Sequence, residues 1–337
     1  MTQEATMGKK KLGLFCLGCF LICTVMCAAA SKTWGAEGKY PSRPIELLCA
    51  YPPGSYTDIL ARHMAKGFEK YLGVPVIPGN KPGGGEVVGA NAMINAAPDG
   101  YTIGILSDGY ILLGSLLDRA TYQREDLRMV GQYIFTTLVM SVSTDSPIKS
   151  FQEFIDYARK NPGLTYGHTG VGSSLHIRAE YLNKVGNLKM RGVPFKGDSE
   201  IIPAVLGKHV MAGMTAYASA RRQADAGKLR ILFSFDPPTG PRPDPTIPTV
   251  ASVFGKDVFD MDPPAQYVVA PKKTPEPILQ ILEQSLEKVT RDPEFVKSLT
   301  EMHVAIQFIS GKALEGGIIE RRLSQLTPIL KDAGLIK

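Results

Sequence analysis

From Tyr40 onward, short apolar runs alternate with segments whose apolar residues recur every three to four positions. That is the pattern of strand–helix units layered in an α/β protein. The first unit predicts a strand over Ile45 to Tyr51, a polar loop from Pro52 to Asp58, and a helix ending at Leu72. Leu60, Met64, Phe68 and Tyr71 would share one face of that helix, and Ser55 with Asp58 form a capping pair at its start. A strand near Val74 to Ile77 leads into GNKPGGGE, Gly79 to Glu86, then a small-residue helix stopped by Pro98-Asp99-Gly100. Tyr101 to Leu106 is the third strand, running into the turn Ser107-Asp108-Gly109.

Gln132 to Val142 reads as one long strand. Ser150 and Glu153 cap a helix whose Phe151, Phe154, Ile155 and Ala158 face a core. Further strands are expected at Leu164 to Tyr166, Met190 to Phe195, His209 to Thr215 and Leu229 to Phe235, with helices between them in largely parallel sheets. Asp236 to Thr249 contains six prolines and predicts an ordered surface loop. A strand over Gln266 to Ala270 precedes Thr274-Pro275, read as an N-cap with proline opening the helix, and helical periods near Pro275 to Arg291 and Leu314 to Leu330 close the chain. The division this suggests is a leader over 1–36, one lobe over 40–140 with 262–337, and a second over 141–261. Two crossings between lobes make a hinge.

The 337 residues are 44% hydrophobic and 21% charged, ordinary values for a globular chain. The N-terminus stands apart. Lys9, Lys10 and Lys11 precede 19 uncharged residues, Leu12 to Ala30, ending in alanines. This is the grammar of a cleaved export signal; an uncleaved anchor is the alternative, and Cys19 is a poorer lipidation candidate. Without residues 1–30 the net charge falls from +6 to +4, with 35 basic and 31 acidic side chains, too little to imply a polyanionic partner. Four of the five cysteines lie in that segment, leaving only Cys49, which reads as a buried, inert thiol with no disulfide partner.

Ligands of open α/β sheets bind beyond the carboxyl ends of strands, where loop amides point outward. Gly, Ser and Thr gather at several such ends, most clearly in Thr165 to His176: a strand, a turn with Gly170 and Gly172, then Ser173 and Ser174 opening a helix. Glycines allow close approach, and free amides with a helix dipole favour an anion. A single loop of this kind is more often a plain turn and cap; recurrence is what points to function. The run Gly83 to Gly89 matches neither the dinucleotide fingerprint nor a P-loop and reads equally well as a tight turn. His63, His168, His176, His209 and His303 show no metal spacing, and neither a hydrolase elbow nor a thiol pair is present. Arg221, Arg222, Lys228 and Arg230 lack interleaved aromatics and read as a solvated face rather than a nucleic-acid contact.

In order along the chain, YPSRPIELL, YPPGSYTDILAR, NKPGGGEVVGAN, AAPDGYTIGI, LTYGHTGVGSSLH, VPFKG and a proline-rich stretch ending IPTV resemble the substrate-binding receptors of tripartite tricarboxylate transporters, the Bug or TctC-like family. The resemblance spans nearly all of the chain after the leader. It implies a type II periplasmic binding protein, two α/β lobes joined by two strands with the ligand cleft between them. It further implies a small carboxylated ligand, a di- or tricarboxylate or aromatic acid, passed to membrane permease subunits in the periplasm. No cofactor, metal or nucleic acid is implied, and capture by lobe closure works for a monomer. Carried over as ligand-binding positions are Ser55, Thr57, Asp58, Thr169, Gly172 and Ser173, with Ser107 and Lys196 added.

Departures fall inside the pocket motifs. The family usually shows two glycines and a small polar residue where this chain has Gly54, Ser55 and Tyr56, and an acidic residue after a Gly-Gln-Val turn where it has Lys208-His209-Val210. Tyr56, Tyr110 or Tyr217 is therefore expected against an aromatic or longer ligand. A sensor that docks on a membrane receptor is the alternative within the binding class. An enzyme using Asp58 or His168 as base is the alternative outside it, though a base needs a positioned partner and none is evident.

Overall fold

The computed structural model describes residues 40–112, 123–236, 242–255, 263–332 and 336. The expected leader over 1–36, with Cys16, Cys19, Cys23 and Cys27, lies outside the described residues. Among those described, no helix is long and apolar enough to cross a membrane.

Two mixed sheets carry the architecture. The first contains β1 (Ile45–Cys49), β2 (Val76–Asn80), β3 (Thr102–Ser107), β4 (Leu127–Phe135), β10 (Ala265–Pro271) and β11 (Ala305–Ser310), in the order β11-β4-β10-β3-β1-β2. The second contains β5 (Leu138–Ser143), β6 (Thr165–His168), β7 (Arg191–Pro194), β8 (Ala212–Ala216) and β9 (Leu229–Ser234), in the order β7-β6-β8-β5-β9. Within each, the strands joined by crossover helices are parallel: β3, β1 and β2 in one, β7, β6 and β8 in the other. The strands that carry the chain between sheets pair antiparallel, β10 with β3 and β4, β5 with β8 and β9. The expectation of largely parallel sheets therefore holds only away from the crossings.

The stretch Gln132 to Val142, read as one strand, is two. Its apolar run is continuous because both β4 and β5 are buried, but the chain leaves the first sheet after Phe135 and enters the second at Leu138. At this break Thr136 N donates to Pro264 O, 2.6 Å, so the outgoing and returning segments are hydrogen-bonded to each other. β10 is buried along its whole length, as a strand between two others with helices on both faces must be.

The helices bury the faces that periodicity predicts. Leu60, Met64 and Phe68 of Tyr56–Leu72 are buried, while Tyr71 is half-buried and its hydroxyl donates to Asp292 Oδ2, 2.8 Å. Phe151 of Phe151–Lys160 stacks on Phe233 of β9 with ring centroids 4.0 Å apart. Ser150 and Ser55 both cap as expected, accepting from the amides of Glu153 and Asp58. In each case the acid reaches one residue past the cap: Glu153 accepts from Lys149 N and Asp58 from Gly54 N.

Other expectations need correcting. Glu276–Arg291 is capped by Pro275, not Thr274, because proline's extended backbone at that position already points into the helix. In the proline-rich stretch, Thr249 caps a short helix, Val250–Phe254; residues 237–241 lie outside the described part. Helix Pro293–Glu301 and β11 were not expected; β11 is an edge strand with every residue half-buried or exposed, although its sequence AIQFIS is largely apolar.

Candidate functional site

The carboxyl ends of β1, β3, β6 and β8 deliver their loops to one place, where the two sheets face each other across a cavity of about 40 Å³. The first sheet contributes Tyr51, Ser55, Tyr56 and Thr57 after β1, and Ser107 at the end of β3. The second contributes Thr169, Ser174 and Leu175 after β6, Asp198 after β7, and Ala216 at the end of β8. The crossings supply Thr136 and Leu138 on the way out and Pro264, Ala265 and Gln266 on the way back.

Besides the single turn Asp108–Ile111 capped by Ser107, four helices of nine or more residues begin at this cavity. Tyr56 and Thr57 open Tyr56–Leu72, Ser174 and Leu175 open Ser174–Val185, Asp198 opens Asp198–Leu206, and Ala216 caps Tyr217–Asp225. Their positive dipole ends converge with at least seven hydroxyls, while among the described residues the lining contains neither lysine, arginine nor histidine. Ser174 Oγ is buried and has no hydrogen-bond partner among the described residues, an unmet capacity directed at whatever fills the cavity.

A second set of buried groups holds these in place. Glu86, 2% exposed, accepts from Ser107 N at 3.1 Å and from Ser107 Oγ at 2.9 Å. Burial, offset in part by these bonds and one from Tyr51, pushes its carboxyl up to about 7. Gln266 donates to Thr57 Oγ1, 3.3 Å, and accepts from Tyr133 OH, 3.0 Å. Behind β3, Tyr267 OH donates to Asp108 Oδ1 at 2.6 Å, and Arg322 bonds both that hydroxyl and Gln132 Oε1. Burial raises Asp108, and the Arg322 charge pulls against it.

Asp198 is the one carboxyl in the lining. Burial pushes it up to about 6 against hydrogen bonds from Ser219 and Ala216 N and the charge of Arg222. The Tyr56 hydroxyl lies against Thr136 and within the field of Asp198. Two glycines let the loops of opposite sheets approach: a Cβ on Gly109 would lie 2.8 Å from Ser174 N, and one on Gly197 would lie 3.2 Å from Pro52 Cδ.

Of the residues expected from sequence, Ser55, Tyr56, Thr57, Ser107 and Thr169 line the cavity. Asp58, Gly172, Ser173 and Lys196 are outside its lining. Asp58 holds the loop: burial would raise its carboxyl, but bonds from Arg62, Asn80 and Gly54 N keep it below its ordinary range. Ser173 accepts from His176 N as the helix cap, and Gly172 N donates to His176 Nδ1. Lys196 is exposed, and its amide bonds Glu200. Tyr110 and Tyr217 are buried away from the lining, so of the three tyrosines only Tyr56 reaches it. Tyr51, Thr136, Ser174, Asp198 and Gln266 were missed. Asp198 follows directly on the VPFKG motif, the one signal that could have found it.

His168 and His176 stack with centroids 4.6 Å apart, and burial pushes both down to about 4, so both are neutral at pH 7. Neither lines the cavity. Cys49 is buried and its thiol is pushed up to about 12, mainly by that burial, as an inert core thiol should be. Among the described residues no group of three or more His, Cys, Asp or Glu could hold a metal.

Residues 60–335 match the family described as "Tripartite tricarboxylate transporter family receptor". A protein of Cupriavidus necator, "UPF0065 protein in gbd 5'region", is 34% identical over 285 residues, covering 84% of this chain and 86% of its own. Among solved structures, periplasmic binding protein BugD superposes with a TM-score of 0.81 at 24% identity, covering 88% of this chain and 100% of that one. Rpa4515 of R. palustris with adipate superposes at 0.80 and 23% identity, covering 88% and 98%.

Proposed function

Because the chain belongs to the tripartite tricarboxylate transporter receptor family, we propose that it captures a small organic carboxylate between two lobes and delivers it to the membrane permease of such a transporter. The lobes follow the two sheets, so the first boundary falls between Phe135 and Leu138 rather than at 140, and the two hydrogen-bonded crossings at Thr136 and Pro264 are the hinge on which they close.

The observation that carries this reading is the composition of the cavity. Among the described residues, hydroxyls and four helix N-termini surround a space without a single basic side chain. Such a site compensates negative charge by fixed dipoles and short hydrogen bonds, which grip a carboxylate without neutralising it permanently and so allow release. Ser55, Thr57, Ser107, Thr169 and Ser174 supply the donors, and Tyr51 and Tyr56 the apolar walls. Nothing in the grip transfers a proton or forms a bond to the ligand, in keeping with a family of receptors. As a periplasmic receptor the chain would act after export, the role expected of its N-terminal segment.

The test is calorimetric titration of residues 37–337 with mono-, di- and tricarboxylates, aromatic acids and the matching neutral amides. Binding of one carboxylate class with no binding of its amide supports the reading. Binding of an amide or sugar with no carboxylate bound overturns it.

A further inference from the structure

A second cavity, of about 290 Å³, adjoins the first, and among the described residues Tyr56 alone lines both. Helix Tyr217–Asp225 runs from one to the other: its cap Ala216 borders the cleft, while Ala218 and Ser219 border the second space. The wall between them is thus the Tyr56 ring and the hydrogen-bonded pair Asp198–Ser219. The larger volume lies on the side away from the gripping hydroxyls.

The second space also holds the cations the cleft lacks. Arg221 is committed, bonding Tyr217 OH, Asp225 and Asp244. Arg222 is exposed and lines the cavity; its guanidinium makes no hydrogen bond or ion pair with a described residue, although its charge is felt at Asp198. An anion end group there would complete a guanidinium that no hydrogen bond or ion pair from the described residues occupies.

We propose that Tyr56 sets ligand length: its ring closes the carboxylate grip off from a second compartment that would otherwise receive the far end of a longer α,ω-dicarboxylate at Arg222. This rests on the carboxylate reading above. With the ring in place the cleft accommodates a short acid; with it removed the two volumes join, and a chain of several methylenes can span from the helix N-termini to Arg222.

The experiment is calorimetric titration of the unbranched dicarboxylates from malonate to suberate into the wild type, Tyr56→Ala, Tyr56→Phe, and Tyr56→Ala combined with Arg222→Gln, each with its melting curve recorded. The wild type should prefer the short acids. Tyr56→Ala should bind adipate to suberate at least about tenfold more tightly than the wild type does, and the added Arg222→Gln should remove most of that gain. Tyr56→Phe, which keeps the ring, should keep the preference for short acids whatever it does to overall affinity. An unchanged length profile in Tyr56→Ala overturns the gate while leaving the carboxylate reading intact. Long-acid binding that survives Arg222→Gln overturns the role of Arg222, and a Tyr56→Phe variant that gains long acids overturns the steric argument. If neither the wild type nor any variant binds a dicarboxylate, the length gate falls, while the carboxylate reading is decided by the wider titration above.

Discussion

Gly85 and Gly170 meet backbone to backbone across the two sheets: a Cβ on Gly170 would lie 2.9 Å from both the N and the Cα of Gly85. Each has a positive φ, 60° and 113°, so each is glycine for two reasons, the local turn and the partner. The GGGE run after β2 is thereby explained. It is a docking surface for the loop after β6, and together with the Gly109 and Gly197 contacts it brings the loops of the two sheets to van der Waals distance around the cavity.

Gly109→Ala isolates the effect of that approach. Gly109 is not among the positive-φ glycines, so alanine suits its backbone, yet the new Cβ would meet Ser174 N at 2.8 Å. If the lobes close on ligand, the variant should melt within a few degrees of the wild type while binding its carboxylate about tenfold or more weakly. A large fall in melting temperature without ligand would mean instead that the contact is permanent.

Ser174→Ala removes a buried hydroxyl that has no hydrogen-bond partner among the described residues. Folding should lose nothing measurable, since an unsatisfied buried group is itself a cost of about 1–3 kcal/mol. Ligand affinity should fall by about tenfold to a hundredfold, the range for a hydrogen bond to a charged group. Parallel thermal melts and titrations separate the two.

Asp198 gives binding a pH dependence of defined sign. Its carboxyl, pushed up to about 6 by burial, shares the cavity with the incoming anion. A bound carboxylate favours the protonated form further, so binding takes up a proton and should tighten as pH falls from 8 toward 6. Titrations in two buffers of different ionisation enthalpy should show that uptake in the wild type and none in Asp198→Asn.

Glu86 makes the reverse contribution visible in folding. Its folded value near 7 lies above the ordinary 4.5, so the folded state binds the extra proton between those limits. Stability from this group is fully present below about pH 4.5 and is lost as pH rises through 7, by up to about 3 kcal/mol. Urea unfolding at pH 5 and pH 8 should show that difference in the wild type and a flatter profile in Glu86→Gln.

The α/β fold and the family were legible because the alternation of apolar runs and helical periods is local, and because the loop motifs stand in order. Within the site, Ser55, Thr57, Ser107 and Thr169 were legible for the same reason: each follows a strand that the sequence marks. Thr136 and Gln266 were not: Thr136 fell within a stretch read as one unbroken strand but lies at the crossing between β4 and β5, and Gln266 sits inside β10 and reaches the cavity only because the chain re-enters the first sheet there. Tyr56, Tyr110 and Tyr217 look alike in sequence, and the helical turn on which each sits decides which one faces the cavity. Glu86 was hidden by its conformation, a non-glycine residue at φ 82° that turns its side chain inward to Ser107.

The strand order bears on how the chain can assemble during synthesis. β10 lies between β3 and β4, although some 130 residues separate it in sequence from β4. The second sheet, β5 to β9, is continuous in the chain and can form as soon as its residues are made. The first cannot: until Ala265–Pro271 arrives, β3 and β4 each present an open edge to one another, and the sheet that begins the fold is the last to be sealed.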